Sequence, residues 1–446
     1  MNYRISQNFN LFITIYLICF FISISYLLIK LNYFQINALN NLVWNWDDYP
    51  GIPNVPTVSA FGGHYFGDFL HLITAGNNPP GETPYWPYLP LANIFSVPFL
   101  YVNYLTGYVF FASVFLLLSY INTWSLFKFL NFKDSVIFTI FFIFGNVGTL
   151  YLIDRGNIQL AVTGFIGLSI FFLLQNRFYL FAFFIGIAGA IKVWPLLFLI
   201  YLVRQCKLKS LLLGLTTFVV LNFFALMFMR VPMFEIIPFI SQQINEIRQF
   251  NSAKGPYWHA GAKNTSLLVT LNIFGQIEFM SKVTSYLIEH YLYVQVIALL
   301  VFILLYLRLK QKNTILELLI ISCFLLVIPT SQYGYSTSIL SILVPLLIID
   351  PIFFNRNNNF ARNIKEKFRF FLAKRGIIVL SAVVLVSWTI RITDRSGDTR
   401  YPMDLNSVFS PLGILLMMCL GFWVLKSKFS LDSNSVVEID ENTLRV

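Results

Sequence analysis

The residues with the greatest chemical potential cluster in one polar stretch near the start of the chain. Gly67-Asp68-Phe69 is followed by Asn77-Asn78-Pro79-Pro80, then Pro84-Tyr85, then Tyr88-Leu89-Pro90, where a hydrophobic run begins. Prolines and glycines fix turns, so Asp68 is an acid on a rigid loop. At a membrane surface such an acid suggests chemistry on a lipid-carried substrate. The same stretch, 30–90, holds Asp47-Asp48, His64, His71 and Glu82 among many Trp, Tyr, Pro and Gly residues. Aromatic rings offer flat surfaces to sugar rings or headgroups, and amphipathic rings favour membrane interfaces. The plainer alternative is an interfacial cap, with Asp47 and Asp48 solvated and Asp68 capping a helix that begins at Phe69.

A second polar cluster is Tyr151-Leu152-Ile153-Asp154-Arg155-Gly156-Asn157, set between two apolar runs. A connection this short places Arg155 and Asn157 at the N-terminus of the next span, where an anion such as a phosphate also meets the positive end of the helix dipole. Alternatively Asp154 and Arg155 pair with each other and Asn157 caps the helix. A third feature is Lys192, alone in the apolar run 178–203 and followed by Val193-Trp194-Pro195.

The elements that must position these residues are membrane helices. The chain is 57% hydrophobic, 18% aromatic and only 11% charged, with a mean hydropathy of +0.71, far from the composition of a soluble domain. Residues 11–29 carry no charge and are long enough to cross a core of about 30 Å. Arg4 precedes them and no small-residue cleavage site follows, which predicts a retained signal anchor. Further apolar runs lie near 91–123, 135–153, 158–175, 178–203, 208–229, 284–307, 313–329, 336–354, 376–390 and 406–425. All are expected to be helical, because lipid tolerates no unpaired backbone groups. The expected fold is an all-α polytopic bundle of about 10–12 transmembrane segments. One domain spans 1–429, with outer loops 30–90 and 230–283, and a polar tail follows over 430–446.

Orientation turns on the run 178–203. As a single span it places most of the 31 Lys and Arg residues outside; turned back on itself around Lys192-Val193-Trp194-Pro195, it places most of them inside. The positive-inside rule selects the turned-back path. Broken helices at membrane depth survive only against protein or a water-filled cavity, so Lys192 is expected near the apex of the break, facing a cavity. Both termini are then cytoplasmic, and 30–90, 154–157, 230–283, 330–335 and 391–405 lie outside. Within 230–283, residues 241–249 read as a short helix lying on the outer surface.

The net charge of +11 follows from this bias, so no nucleic-acid partner is required. The inner loop 356–375, with Arg356, Arg362, Lys365, Lys367, Arg369, Lys374 and Arg375, is basic enough to sit on anionic lipid. Cys19, Cys206, Cys323 and Cys419 match neither a disulfide framework nor a zinc site. No Gly-rich phosphate loop, Gly-x-Ser-x-Gly elbow or His-Glu-x-x-His helix occurs, which argues against a nucleotide-dependent cytosolic enzyme. No acidic cluster forms an obligate metal cage, so no cofactor and no metal site are expected, although Asp47-Asp48 could assist a loosely held divalent ion.

The order of these motifs resembles glycosyltransferase family 87, the mannosyltransferases of the GT-C superfamily that include mycobacterial polyprenyl-phosphate-mannose-dependent enzymes. The resemblance rests on Gly67-Asp68-Phe69 with Asn78-Pro79 and the Pro84-Tyr85 to Pro98-Phe99 stretch. It continues through Arg155-Gly156-Asn157 opening a span, and through Gly186-Ile187-Ala188 to Ile191-Lys192-Val193-Trp194-Pro195. It implies a GT-C-like bundle in a bacterial cytoplasmic membrane with its active site on the outer face. The implied substrates are a polyprenyl-phosphate sugar donor, mannose favoured, and a lipid or glycan acceptor. It further implies that Asp68 is the general base on the acceptor hydroxyl, with inversion at the anomeric carbon, while Lys192, Arg155 and Asn157 receive the departing lipid phosphate.

The sequence departs from the family in one late outer loop. Some members carry Ser-Pro-x-Ser-Trp-x-His-His, where this chain reads Ile328-Pro329-Thr330-Ser331-Gln332-Tyr333-Gly334-Tyr335. Both histidines are missing, and Gln332 and Tyr335 can replace a hydrogen bond but not a proton shuttle at neutral pH. His259, in Tyr257-Trp258-His259, is a candidate for the missing imidazole. His71, His259, Gln332, Tyr335 and Tyr85 are thus the candidate acceptor- or sugar-binding residues. Two other functions fit the same layout: a flippase or transporter for a lipid-linked glycan, and an oligosaccharide ligase or polymerase. A transporter would favour internal repeats with matched broken helices, and only one broken segment is visible.

Overall fold

The computed structural model describes residues 14–15, 17–18, 21, 46–49, 52–56, 89–95, 102, 104–121, 149, 152–153, 156–229, 231–239, 241, 271, 280–309, 313–328, 337–349, 373, 375–384 and 405–426. These residues are overwhelmingly helical. One local exception within this all-α fold is a small hairpin: β1 (Trp46–Tyr49) and β2 (Ile52–Pro56) pair antiparallel within the 30–90 stretch. Tyr49 pairs with Ile52, and the register shifts between Asp47 and Tyr49, the signature of a β-bulge.

The helices are α1 (Pro90–Phe95), α2 (Tyr104–Tyr120), α3 (Gln159–Leu174), α4 (Phe178–Ile191), α5 (Ile200–Arg204), α6 (Leu208–Phe228), α7 (Ser281–Glu289), α8 (Tyr291–Leu307), α9 (Thr314–Val327), α10 (Ser338–Ile349), α11 (Arg375–Val384) and α12 (Leu405–Lys426). The apolar run 91–123 therefore begins as two helices rather than one. The run 284–307 is also divided, with α7 and α8 bent by 80° at His290. Glu289-His290 puts two polar side chains at the break, and charged groups are expensive at membrane depth.

Glycines let the helices approach closely. A Cβ on Gly167 of α3 would lie 2.6 Å from the Leu118 carbonyl oxygen of α2, and one on Gly186 of α4 would lie 2.6 Å from the Gly214 carbonyl oxygen of α6. Helix backbones meet directly at these small residues, as they do where no hydrophobic effect drives helices together. α9 is buried from Leu316 through Val327 and forms the centre of the bundle, since a helix apolar on all sides must be enclosed or lipid-facing. It packs mainly against α12, where a Cβ on Gly421 would lie 2.8 Å from Ile320.

α6 and α8 take the other option. Leu212, Val219, Phe224 and Phe228 of α6 and Leu292, Ile297, Leu300 and Leu304 of α8 are all more than half exposed. Exposed apolar surface on this scale marks a contact with lipid or protein. Among the described residues, α6 alone is long and apolar enough to cross a membrane; α7 and α8 meet that test only as a bent pair, and the other apolar helices run 10–17 residues.

Residues 178–204 do turn back. α4 ends at Ile191, Lys192 is extended (φ −141°, ψ 133°), and a 3-10 helix, Trp194–Leu199, leads into α5. Pro195 has no N–H to offer the Ile191 carbonyl, so the α-helix cannot continue through it. The arms lie against each other: a Cβ on Gly189 would meet Leu196 at 2.5 Å, and nearer the open end the Phe181 and Tyr201 rings pack edge-on at 6.1 Å. α4, with 14 residues, reaches about 21 Å. Lys192 marks the apex of this hairpin, and Phe178 and Arg204 its base.

Candidate active site

Three separate parts of the chain come together at the apex face. α3 opens there. Gly156, at φ 61°, donates its N–H to the carbonyls of Leu152 (3.0 Å) and Ile153 (3.2 Å). This left-handed residue ends the preceding helical turn, a conformation glycine adopts without steric penalty. Asn157 follows, and its Oδ1 accepts the Gln159 N–H at 2.8 Å, satisfying one orphan donor of the α3 first turn. The capping role expected of Asn157 is therefore present. Lys192 reaches the same oxygen, its Nζ donating at 3.4 Å.

That geometry separates the roles of the two residues. A backbone N–H only donates, so the Asn157 atom facing Gln159 is the oxygen, and that oxygen also faces Lys192. An anion arriving at this corner meets the Lys192 ammonium with Asn157 holding it from behind. Lys192 sits at the C-terminal end of α4, where the helix dipole favours a cation, and close to the N-terminal end of α3, where it favours an anion.

The other two parts are loop ends. Leu91 of α1, where the 30–90 stretch re-enters the bundle, donates its N–H to Asn222 Oδ1 at 3.4 Å. Asn222 stands 14 residues beyond the start of α6, about 21 Å from the base, level with the apex. α1 also packs on α4. In the second half, α9 runs from the base, where Thr314 meets Tyr201 at 2.9 Å, to the apex face. There the Ile328 carbonyl accepts from Tyr291 OH (2.9 Å) and Gln295 Nε2 (3.0 Å). The chain re-enters at Ser338, whose hydroxyl lies 3.3 Å from that of Thr163, one turn into α3.

Behind this corner lies a buried polar track not anticipated from the sequence. Gln159 is fully buried; its Nε2 lies 3.5 Å from Thr163 Oγ1, and its Oε1 has no partner among the described residues. The track continues through Ser341, whose hydroxyl lies 2.7 Å from Tyr120 OH, and on to Thr149, 2.9 Å from the same phenol. An unpaired buried carbonyl oxygen is costly, and here it lies two residues from Asn157, ready to accept a hydroxyl proton. The sequence signal was present but faint: a single amide opening an apolar span.

Of the residues singled out from sequence, Lys192 and Asn157 are brought together. Asp68, His71, Tyr85, Arg155, His259, Gln332 and Tyr335 lie outside the described residues, as do all but the first residue of the surface helix expected over 241–249 and most of the signal anchor. Among the described residues, no group of three or more His, Cys, Asp or Glu side chains could hold a metal ion.

This geometry defines a helical bundle with Lys192 at the apex of a broken apolar hairpin, beside the head of α3. The family model of glycosyltransferase family 87 matches residues 86–329. The chain belongs to that family and is a glycosyltransferase, and the family consists of membrane enzymes. No curated protein and no solved structure matches the chain. The matched segment includes Arg155, Asn157, Lys192 and the entire hairpin; Asp68 precedes it.

Proposed function

We propose that this protein transfers a monosaccharide, mannose favoured, from a polyprenyl-phosphate carrier to a lipid or glycan acceptor on the outer face of a bacterial cytoplasmic membrane. The observation that carries the reading is Lys192, held at the apex of a broken apolar hairpin 3.4 Å from the residue that caps α3. The Lys192 ammonium stands between the C-terminal end of α4 and the N-terminal end of α3, where an anion is favoured, and a lipid phosphate brings both the charge and a chain that suits the apolar flanks.

In this mechanism Asp68 accepts the proton of the acceptor hydroxyl as its oxygen bonds to the anomeric carbon. The bond from that carbon to the phosphate oxygen breaks on the opposite face, so configuration inverts. The leaving phosphate takes the electron pair, and Lys192, with Arg155, stabilises the growing charge. Asn157 orients the ammonium. His71, His259, Gln332, Tyr335 and Tyr85 are proposed to contact the acceptor or sugar. The placement of Asp68 is supported by the re-entry of its loop at α1, beside the apex, and the placement of Gln332 and Tyr335 by the loop ends Ile328 and Ser338. The bundle of about 10–12 spans over 1–429 and the cytoplasmic 430–446 tail belong to the same proposal, which the exposed apolar surfaces of α6 and α8 support. No metal or cofactor enters any step.

The test is steady-state transfer from a synthetic polyprenyl-phosphate mannose. Lys192→Met removes a charge-assisted contact of roughly 1.5–3 kcal/mol, so kcat/KM falls about 10- to 100-fold, and Lys192→Arg restores part of it. Wild-type kcat/KM in Lys192→Met would overturn the phosphate assignment.

A further inference from the structure

Gln159, in the first turn of α3, is a polar side chain that the fold itself does not satisfy. It is fully buried, and its Oε1 has no hydrogen-bond partner among the described residues. The hydroxyl protons around it are already spent. Thr163 Oγ1 donates to the Gln159 main-chain carbonyl at 2.8 Å, so toward the Gln159 side chain it can only accept. That fixes Nε2 as the amide atom facing it, at 3.5 Å; the exchanged orientation would set two acceptors against each other. Ser341 Oγ donates to the Ser338 carbonyl at 2.6 Å, so the Tyr120 hydroxyl, 2.7 Å away, gives its proton to Ser341, and Thr149 gives its own to Tyr120 at 2.9 Å. A donor for Gln159 Oε1 therefore has to come from outside this track.

The two ends of the track differ. The deep end, from Thr149 through Tyr120 to the Ser338 carbonyl, closes at 2.6–2.9 Å. The end at the head of α3 is loose: 3.5 Å from Gln159 Nε2 to Thr163, and 3.3 Å between the Thr163 and Ser338 hydroxyls. Both are long for hydrogen bonds, as active-site contacts are before a ligand tightens them. The loose end is also the end beside the apex. Asn157 Oδ1 accepts from both the Gln159 N–H and the Lys192 ammonium, so one atom stands between Gln159 and the cation assigned to the lipid phosphate. The sugar is bonded to that phosphate. Its hydroxyls have protons to donate, whereas the phosphodiester and the prenyl chain have none.

We infer that Gln159 is a sugar-binding residue, whose Oε1 accepts a hydrogen bond from one hydroxyl of the monosaccharide being transferred and so selects sugars that carry that hydroxyl. The inference rests on the reading of the apex as the donor site. The hydroxyl reaches the enclosed amide by parting the loose Thr163 and Ser338 contact, and Thr163 holds Nε2 so that Oε1 faces the sugar. A buried acceptor of this kind rejects an analogue that lacks the hydroxyl, because its carbonyl is then left unpaired.

Transfer by the full chain in detergent tests this. The donors are the lipid-phosphate form of the sugar found missing from the envelope glycans of a deletion strain, and analogues each lacking one hydroxyl of that sugar. Wild-type kcat/KM should fall about tenfold or more for one analogue and change little for the others. Gln159→Met, similar in shape and without a polar head, should lower kcat/KM for the intact sugar by the same factor. It should lose nothing further with that one analogue, since a bond removed from both sides counts once. Its melting midpoint should equal or exceed that of wild type, because an unpaired buried carbonyl has been taken away. Losses that multiply in the Met variant would overturn the inference. So would a wild-type chain that takes every analogue equally well, or a Met variant that melts well below wild type, which would make the amide a packing element. Any of these alongside normal transfer of the intact sugar strikes Gln159 alone; a wild-type chain that transfers none of the intact sugar contradicts the donor-site reading, and the sugar contact falls with it.

Discussion

Asn157 carries two duties on one oxygen, capping α3 through the Gln159 N–H and holding the Lys192 ammonium. The duties separate by substitution. Asn157→Ala removes the cap and should lower stability by about 1 kcal/mol, while also releasing Lys192 and lowering transfer. Asn157→Asp keeps an oxygen for the cap, so its melting midpoint in detergent should match wild type. Its added negative charge would pair with Lys192 and repel the donor phosphate, raising the donor KM. An Asp variant with both wild-type stability and wild-type KM would show that Lys192 does not meet the phosphate. Both residues were legible in the sequence, Lys192 because a lone cation in an apolar run demands a reason, and Asn157 because it follows Gly156 at the head of a span. Gln159 was not, since one amide beside fifteen mostly apolar neighbours leaves the average hydropathy of α3 unchanged.

At the scale of elements, contact geometry is set by glycine. The Cβ of a residue 167 other than glycine would lie 2.6 Å from Ser119 Cα and from the Leu118 carbonyl oxygen, which are backbone atoms that cannot swing aside. Gly167→Val should therefore separate α2 from α3 and destabilise by about 1–3 kcal/mol or more, read as a lower melting midpoint and a smaller monodisperse fraction. Gly376→Ala is the contrast, since among the described residues its Cβ would meet the flexible tip of Leu420 at 3.1 Å and no backbone atom, and it should melt close to wild type. Equal behaviour of the two variants would contradict the backbone-contact account. The broken hairpin was readable because two independent signals agreed, Pro195 and the distribution of basic residues. The elbow at His290 was hidden because a hydropathy run sums across a bend. The β1–β2 pair was missed because Trp46-Asp47-Asp48-Tyr49 has no clean alternation, and its only strong signal was the Pro50-Gly51 step between the strands.

Across the whole molecule, the two halves of the bundle are tied at the base by one buried network. Arg204, at the end of the hairpin, forms an ion pair with Glu317 of α9, their side chains 6% and 0% exposed, and donates to the Leu309 carbonyl at 3.0 Å. Glu317 also accepts from Tyr306 OH at 2.9 Å and from the Asn313 N–H at 3.1 Å. Arg204→Met strands the buried carboxylate and should cost about 3–5 kcal/mol. Adding Glu317→Gln removes the stranded charge and should recover most of the loss in a thermal melt; no recovery would mean that packing rather than charge holds the halves together. Such a pairing is beyond a sequence window, because nothing in either segment names its distant partner. With the base locked in this way, the apex face holds Lys192 against the head of α3, with the start of α1 and the loop ends Ile328 and Ser338 on the same face.

The mass spectrum of envelope glycolipids and glycans from a deletion strain carrying either the wild-type chain or Asp68→Asn tests that arrangement most directly. Transfer of one sugar with Asp68 as base predicts products short by a single monosaccharide in both the deletion and the Asp68→Asn strain, with the wild-type chain restoring full length. A complete glycan stranded on its lipid carrier in the deletion strain, or a normal spectrum with Asp68→Asn, would contradict it.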